Sequence, residues 1–584
     1  MFEVTKVTSR FRCFAFAGLL VGANLALSTL ASGAMDSHKL SAELQHAPAS
    51  KRVDVIVQYR VQPTSAQVKR AIVGGGSLRG RLSSINGAAF TINAKSLSAL
   101  ASDPNVLHVS VDHVVKATAT VTDFYDQAVM APYAWSSNLS GTGIGIAVID
   151  SGINSGKDFS LSSGAGSRIV YSQNFVSGQT SVSDLYGHGT HVAGILAGNG
   201  MNSKGANFRK TFMGVADNAN LINLRVLDQN GSGNDSTVIA AIDKAISLKT
   251  KYNIRVINLS LGRPVFESYK LDPLCLAVEA AWKAGIVVVV AAGNDGRDNW
   301  HDIEGYGTIS APGSDPLAIT VGAMKPMGTA TRADDQIASY SSKGPTMLDH
   351  IVKPDIVAPG NMAISVLASS TATLVKANPA NVVALSSYSS GKTGASSYFT
   401  LSGTSMATPV VSGAVALLLQ KNAKLTPDQV KARLMRTAYK TFPRSSTATD
   451  PATGRKYTSQ YDIFTVGAGY LDIQAALNNA DLAPATVGIA KSPAVARDKS
   501  GNVYLVTGSS ILWGGSVTWG TSIVWGTSVL WGTLTNGESV SWGSSVTWGS
   551  STNKGFSVLW GSSIVWGATT ETSSEAAVLI TGEK

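Results

Sequence analysis

A chain of 584 residues exceeds what one hydrophobic core organises, so several folded units are expected. Its 44% hydrophobic and 14% charged residues exclude a wholly disordered protein. The formal net charge of +10 is concentrated before residue 119, and no dense Lys/Arg run interleaved with aromatics follows, so no nucleic-acid partner is expected.

Lys6, Arg10 and Arg12 precede an apolar stretch from Cys13 to about Leu30, and the small residues Ala31-Ser32-Gly33-Ala34 come next. This is the pattern of a secretory leader over residues 1–34, with a secreted or cell-envelope product. An uncleaved anchor is the alternative reading, although Gly18, Gly22 and Asn24 interrupt the stretch. No other stretch is suited to span a bilayer, so no stable membrane insertion is expected after leader removal. The two cysteines, Cys13 and Cys275, fall on either side of the expected cleavage point, leaving the mature chain without an internal disulfide.

Residues 51–118 read as a compact α+β unit of four strands and two short helices. Residues 53–59, 88–92 and 106–111 carry strand character, and 65–73 and 96–102 carry helix character. Over residues 121–480, apolar β-branched runs at 144–149, 256–261 and 286–291 alternate with helical segments. That alternation predicts an α/β fold with a doubly wound, mostly parallel sheet buried on both faces. Thr426-Pro427-Asp428 marks a helix start, with an N-cap, a proline at the first helical position and an acid in the first turn.

Residues 481–510 read as a linker. Residues 511–570 then hold eight of the chain's 11 tryptophans in a Trp-Gly hexad, with Trp513, Trp519, Trp525 and Trp531 in register. An even period keeps the indoles on one face of an extended chain, which predicts a β-rich repeat region of solenoid turns or stacked hairpins.

Amide hydrolysis needs an activated nucleophile, a base that returns its proton to the leaving amine, and donors for the developing oxyanion. Ala147-Val148-Ile149-Asp150-Ser151-Gly152 places a carboxylate at the carboxyl end of a buried strand. Gly187-His188-Gly189-Thr190-His191 places a histidine at the start of a small-residue helix. Gly403-Thr404-Ser405-Met406-Ala407-Thr408-Pro409 places a serine at a helix N-terminus, where free N–H groups favour negative charge. In this reading Asp150 orients His188, His188 is the general base and Ser405 is the nucleophile. His191, one turn further on, reads as a packed neighbour.

These three blocks, in the order Asp, His, Ser, resemble the signatures of the subtilisin-like (S8) serine proteases. Ile257-Asn258-Leu259-Ser260-Leu261-Gly262 is similar to the family's substrate-binding strand, and Ala291-Ala292-Gly293-Asn294-Asp295-Gly296 to its oxyanion loop. Lys353-Pro354-Asp355-Ile356-Val357-Ala358-Pro359-Gly360 matches a further block of that family. The resemblance implies a serine endopeptidase acting on proteins or peptides through an acyl-enzyme. It assigns Asn294 as the side-chain oxyanion donor and places Ser260, Leu261, Gly262, Ala292 and Gly293 against the substrate. The block 84–90 with Asp103-Pro104-Asn105-Val106 resembles the family's inhibitory propeptide. That resemblance implies an intramolecular inhibitor over 51–118 and self-cleavage between Lys116 and Val121.

The chain departs from the family pattern at Val410, where a histidine is usual, and over 199–212, which is longer than the usual calcium loop and poor in acids. No cofactor is required for the chemistry; a structural calcium at Asp158 is the metal expectation, on resemblance. Two other readings stay open: a cell-surface or polysaccharide-binding role for the Trp-Gly repeats, and esterase or acyltransferase chemistry on the same triad.

Overall fold

The computed structural model describes residues 37–73, 75–116, 125–161, 163–298, 304–390, 393–450 and 453–497, together with short strand pieces between 503 and 548 and residues 582–583. The expected leader, the expected cleavage segment after Lys116 and most of the Trp-Gly hexads lie outside the described residues.

The first unit is a four-stranded antiparallel sheet of β1 (Arg52–Tyr59), β2 (Ser77–Leu82), β3 (Gly87–Asn93) and β4 (Val106–Val111), in the order β2-β3-β1-β4. Two helices, α1 (Ser65–Ile72) and α2 (Leu97–Ala101), pack on it. Thr64 and Gln67 close a reciprocal capping box at the start of α1, satisfying two N–H groups that the helix leaves open. Val55, Val57, Phe90 and Val109 form this unit's own core. Ile56, Leu82, Ile85 and Ala89 point the other way and join the core of the following unit.

The second unit is built on an eight-stranded sheet. Its strands are β6 (Gly145–Asp150), β7 (Ile169–Asn174), β8 (Asn220–Arg225), β10 (Ile254–Leu259), β11 (Val287–Ala291), β12 (Ile319–Lys325), β13 (Gln336–Ile337) and β14 (Ile356–Pro359). The order is β13-β12-β11-β10-β6-β8-β7, with β14 also pairing to β12. Every pairing is parallel except β12 with β13. A parallel sheet covered by helices on both faces has to be apolar throughout, and β6 and β11 are buried at every position. Each such Val or Ile adds about 1.5–3 kcal/mol when fully removed from water.

The covering helices include α3 (His188–Ala197), α4 (Asp235–Tyr252), α5 (Pro273–Lys283), α6 (Thr404–Lys421) and α7 (Pro427–Thr437). Helix α6 is buried along almost its whole length, which explains its run of Ala, Val and Leu without polar periodicity.

Outside the two main sheets, strand β5 (Val114–Lys116) leaves the first unit and pairs antiparallel with β9 (Ser232–Asn234) of the second. Residues 481–497, read from sequence as the start of a linker, are instead packed on the second unit. Ala483, Ala490 and Val495 enter its core, and Ser492 bonds the buried Lys431. The sequence there is short of periodicity because its side chains fill gaps between finished elements. Among the described pieces of the repeat region, Thr518–Trp519 pairs antiparallel with Ile523–Val524, and Val540–Trp542 with Val546–Trp548.

Candidate active site

Strands β6, β10 and β11 lie side by side and end at one rim of the sheet, the edge at which ligand crevices of open α/β folds form. Asp150 is the last residue of β6, Ser260 directly follows β10, and Asn294 lies three residues beyond β11. Helix α3 begins at His188 and helix α6 at Thr404, so both helices aim their N-termini at this rim.

Asp150 and His188 are fully buried and in contact. The ring Nδ1 lies 2.8 Å from Oδ1 and 3.0 Å from Oδ2 of Asp150, and Oδ1 also accepts the Ser151 N–H at 2.7 Å. This fixes the imidazole with Nδ1 as the donor and turns Nε2 away from the carboxylate. The approach depends on Gly189: a Cβ there would lie 2.3 Å from the Gly152 carbonyl oxygen and 3.1 Å from Asp150 Oδ1.

The N-terminus of α3 is held by a second carboxylate that the sequence reading did not single out. Asp184 accepts the N–H groups of Gly187 at 2.7 Å and Thr190 at 2.8 Å, and the Ser151 hydroxyl at 2.8 Å. Ser151 Oγ in turn accepts the Gly189 N–H at 2.9 Å. Burial pushes the Asp184 carboxyl above the ordinary carboxylate range, and the three donors oppose that shift. The available signal was an acid four residues before the helix-starting histidine. Tyr186 stands beside His188 with ring centroids 6.5 Å apart, and burial, with the charges of Asp150 and Asp184, pushes its phenol up to about 12.

Ser405 is the second residue of α6. Its hydroxyl donates to the Ser260 carbonyl at 3.1 Å, and the Ser260 hydroxyl donates back to the Ser405 carbonyl at 2.8 Å. Asn258 and Ser412 extend this reciprocal pair into the core. Asn294 is oriented from the same helix start: its Oδ1 accepts the Thr404 N–H at 2.9 Å and the Thr404 hydroxyl at 3.2 Å. The Nδ2 end is thereby left as the donor end of the amide.

The remaining expected substrate residues converge on Ser310, which sequence reasoning missed. Its N–H donates to the Ala292 carbonyl at 2.9 Å. A Cβ at Gly262 would sit 3.0 Å from Ser310 Cβ, and one at Gly293 would sit 2.5 Å from Ser310 Oγ. Leu261 is buried beside them.

Asp158 lies apart from this rim. Its Oδ1 accepts the Asn202 N–H at 2.7 Å and its Oδ2 accepts the Tyr398 hydroxyl at 2.8 Å. The buried guanidinium of Arg168 donates to the carbonyls of Asp158, Ser160, Ala197 and Ala219, at 2.6 to 3.1 Å. A calcium site requires 6–8 oxygen ligands. Here the carboxylate oxygens already serve protein donors and the nearby carbonyls serve an arginine, so Asp158 does not fit the calcium expectation. Among the described residues no cluster of three or more His, Cys, Asp or Glu is arranged to hold a metal.

The profile of the subtilase family (peptidase S8) matches residues 141–469. Serine protease AprX of Bacillus subtilis is 37% identical over 370 residues, covering 61% of this chain and 75% of that protein. Subtilisin E of the same organism is 34% identical over 366 residues, covering 62% of this chain and 78% of that protein. Among solved structures, fervidolysin from Fervidobacterium pennivorans, a keratinolytic enzyme related to subtilisin, aligns with a TM-score of 0.55 at 22% identity. That alignment covers 78% of this chain and 65% of the other, and at this identity it speaks for the fold alone.

Proposed function

This chain belongs to the subtilase family and is a subtilisin-type serine endopeptidase; from that premise we propose that Asp150, His188 and Ser405 are its catalytic triad, with Asn294 as oxyanion donor. The observation that carries this reading is the grip of Asp150 on His188 Nδ1, at 2.8 and 3.0 Å in a fully buried setting. Such a contact selects the tautomer whose Nε2 accepts a proton and stabilises the imidazolium that results.

A hydroxyl turns about a single bond. On substrate entry Ser405 Oγ exchanges the Ser260 carbonyl for His188 Nε2 and attacks the scissile carbonyl carbon as its proton passes to Nε2. The carbonyl oxygen becomes an oxyanion, met by Asn294 Nδ2 and by the Ser405 N–H at the positive end of α6. His188 then protonates the leaving amine, an acyl-enzyme forms on Ser405, and water activated by the same ring hydrolyses it. Ser260, Leu261 and Gly262 pair with an extended peptide backbone, and Ala292, Gly293 and Ser310 wall the pocket for the side chain before the cut.

The same reading includes an autoprocessed preproprotein, secreted by way of its leader, whose residues 51–118 inhibit the cleft until removed. Support comes from β5, which runs antiparallel beside Ser232–Asn234 as an added strand and heads into the expected cleavage segment. Among the described residues no helix is long and apolar enough to cross a membrane.

The test is hydrolysis of casein and of a peptide amide by the purified full chain and by Ser405→Ala and His188→Ala. Loss of cleavage in both variants, with the chain remaining uncut beyond Lys116, is the expected result. Undiminished hydrolysis by Ser405→Ala would overturn the assignment.

A further inference from the structure

Glu583, downstream of the Trp-Gly repeats, is 4% exposed and enclosed by the protease unit. Its Oε1 lies 2.8 Å from Arg297 Nη2, accepts the Ser339 N–H at 3.0 Å and also accepts the Ser339 hydroxyl. Its backbone is read at two points by one side chain: Asn361 Nδ2 donates to the Glu583 carbonyl at 3.0 Å, and Asn361 Oδ1 accepts the Glu583 N–H at 3.2 Å.

The recess is formed by residues far from one another in sequence. Arg297, itself 4% exposed, is positioned by Asp450 at 3.0 Å, by Ser339 Oγ at 2.6 Å and by the Tyr457 ring 4.6 Å beneath its guanidinium. Asn361 is held by the Ser402 hydroxyl at 3.1 Å. Taking a carboxylate out of water costs several kcal/mol unless opposite charge and hydrogen bonds replace the solvent. An arginine, a main-chain N–H and a hydroxyl do so here at Oε1, while Oε2 is buried with no hydrogen-bond partner among the described residues. One amide reading both backbone groups of a single residue copies the way a strand edge takes up an extended peptide.

We propose that Arg297, Ser339 and Asn361 form a peptide-binding site, beside the oxyanion loop, whose ligand is the segment of this same chain around Glu583. The guanidinium and Ser339 select the glutamate side chain, and Asn361 selects the extended backbone around it. The stretch between Arg497 and Gly582 therefore begins and ends on the protease unit. Because the tail is tethered, it meets its site at a high effective concentration and outcompetes free peptide. A cut within that stretch leaves the tail in place until the site lets go.

The test uses the Ser405→Ala chain, so that added peptide is not hydrolysed, and a fluorescein-labelled peptide of residues 578–584 read by anisotropy. The chain lacking only residues 582–584 is expected to bind the peptide at least tenfold more tightly than the full-length chain, whose site is filled. A peptide with Gln in place of Glu583 should bind the shortened chain at least tenfold more weakly. Asn361→Ala in the shortened chain should weaken the native peptide similarly. Because the Gln peptide probes an unaltered protein, misfolding of a variant cannot mimic its result. Equal binding by the full and shortened chains, or of the Glu and Gln peptides, would overturn the site.

Discussion

Two histidines one turn apart on α3 meet opposite surroundings. His188 turns Nδ1 to a carboxylate, whereas His191 turns Nε2 to two carbonyls, Ala363 at 3.2 Å and Phe399 at 3.1 Å. Two acceptors demand a donor, so Nε2 carries the proton, and Nδ1 of His191 has no partner among the described residues. Burial, reinforced by His188, pushes the His191 ring down to about 3. The unfolded chain, with an ordinary histidine near 6.5, then binds a proton between about pH 6.5 and pH 3 that the folded chain does not. Stability from this residue is complete above about pH 6.5 and falls as pH drops toward 3, by at most about 1.4 kcal/mol per pH unit. Urea melts of Ser405→Ala with and without His191→Gln, from pH 7.5 to 4.5, should show a shallower acid slope in the double variant. Equal slopes would contradict the neutral ring. On the proposed oxyanion role, Asn294→Ala should lower kcat with KM little changed, since the amide would meet charge only in the transition state. The expected loss, about 10²- to 10³-fold, is the size known for the corresponding asparagine of subtilisin and is taken over from that relative.

At the scale of elements, what was legible in the sequence was what local chemistry dictates. The run 144–149 appears as Gly145–Asp150 and the run 286–291 as Val287–Ala291, because continuous β-branched residues serve a strand buried on both faces. Thr426 caps α7 through a capping box with Gln429, and Pro427 opens the helix, as its start signal predicts. Ser310 and Arg168 were not legible, because each acts on backbone groups from other segments and leaves no periodic trace, whereas Asp184 left a local signal, an acid just before the helix start whose N–H groups it accepts. Arg168 is the case with a measurable consequence. Its guanidinium donates to four carbonyls, and Arg168→Met would leave two of them, Ala197 and Ala219, without that donor at a cost of about 1–3 kcal/mol each before relaxation, whereas Asp158 and Ser160 keep bonds from Asn199. Thermal melts of the Ser405→Ala chain should show a clear loss for Arg168→Met and no shift on adding EDTA. A large EDTA effect with a silent Arg168→Met would reinstate a metal at Asp158.

At the scale of the whole molecule, the two units are joined by a reciprocal pair of carboxylates, each accepting a backbone N–H of the other unit. Asp112 of the first unit accepts the Ser236 N–H at 2.6 Å and the Ser236 hydroxyl, capping α4 of the second. Asp243 on α4 accepts the Ser84 N–H at 2.8 Å in return. Gln58 adds a bond to the Leu271 carbonyl at 2.7 Å, and Arg79, 2.8 Å from Asp112, keeps that carboxylate pointed at the helix. A carboxylate at a helix N-terminus gains from the open N–H groups and from the macrodipole together. Hydrogen bonds to a charged group contribute about 1.5–3 kcal/mol each, so Asp112→Asn should speed dissociation of the cleaved first unit roughly 10- to 100-fold. Given the proposed self-cleavage, native gel filtration should find the two fragments of the parent protein eluting together and those of Asp112→Asn eluting apart. The lag before proteolytic activity appears should shorten in the same variant. Were both proteins to keep their fragments together equally long, the grip would reside in the apolar contacts of Ile56, Leu82 and Ile85 instead.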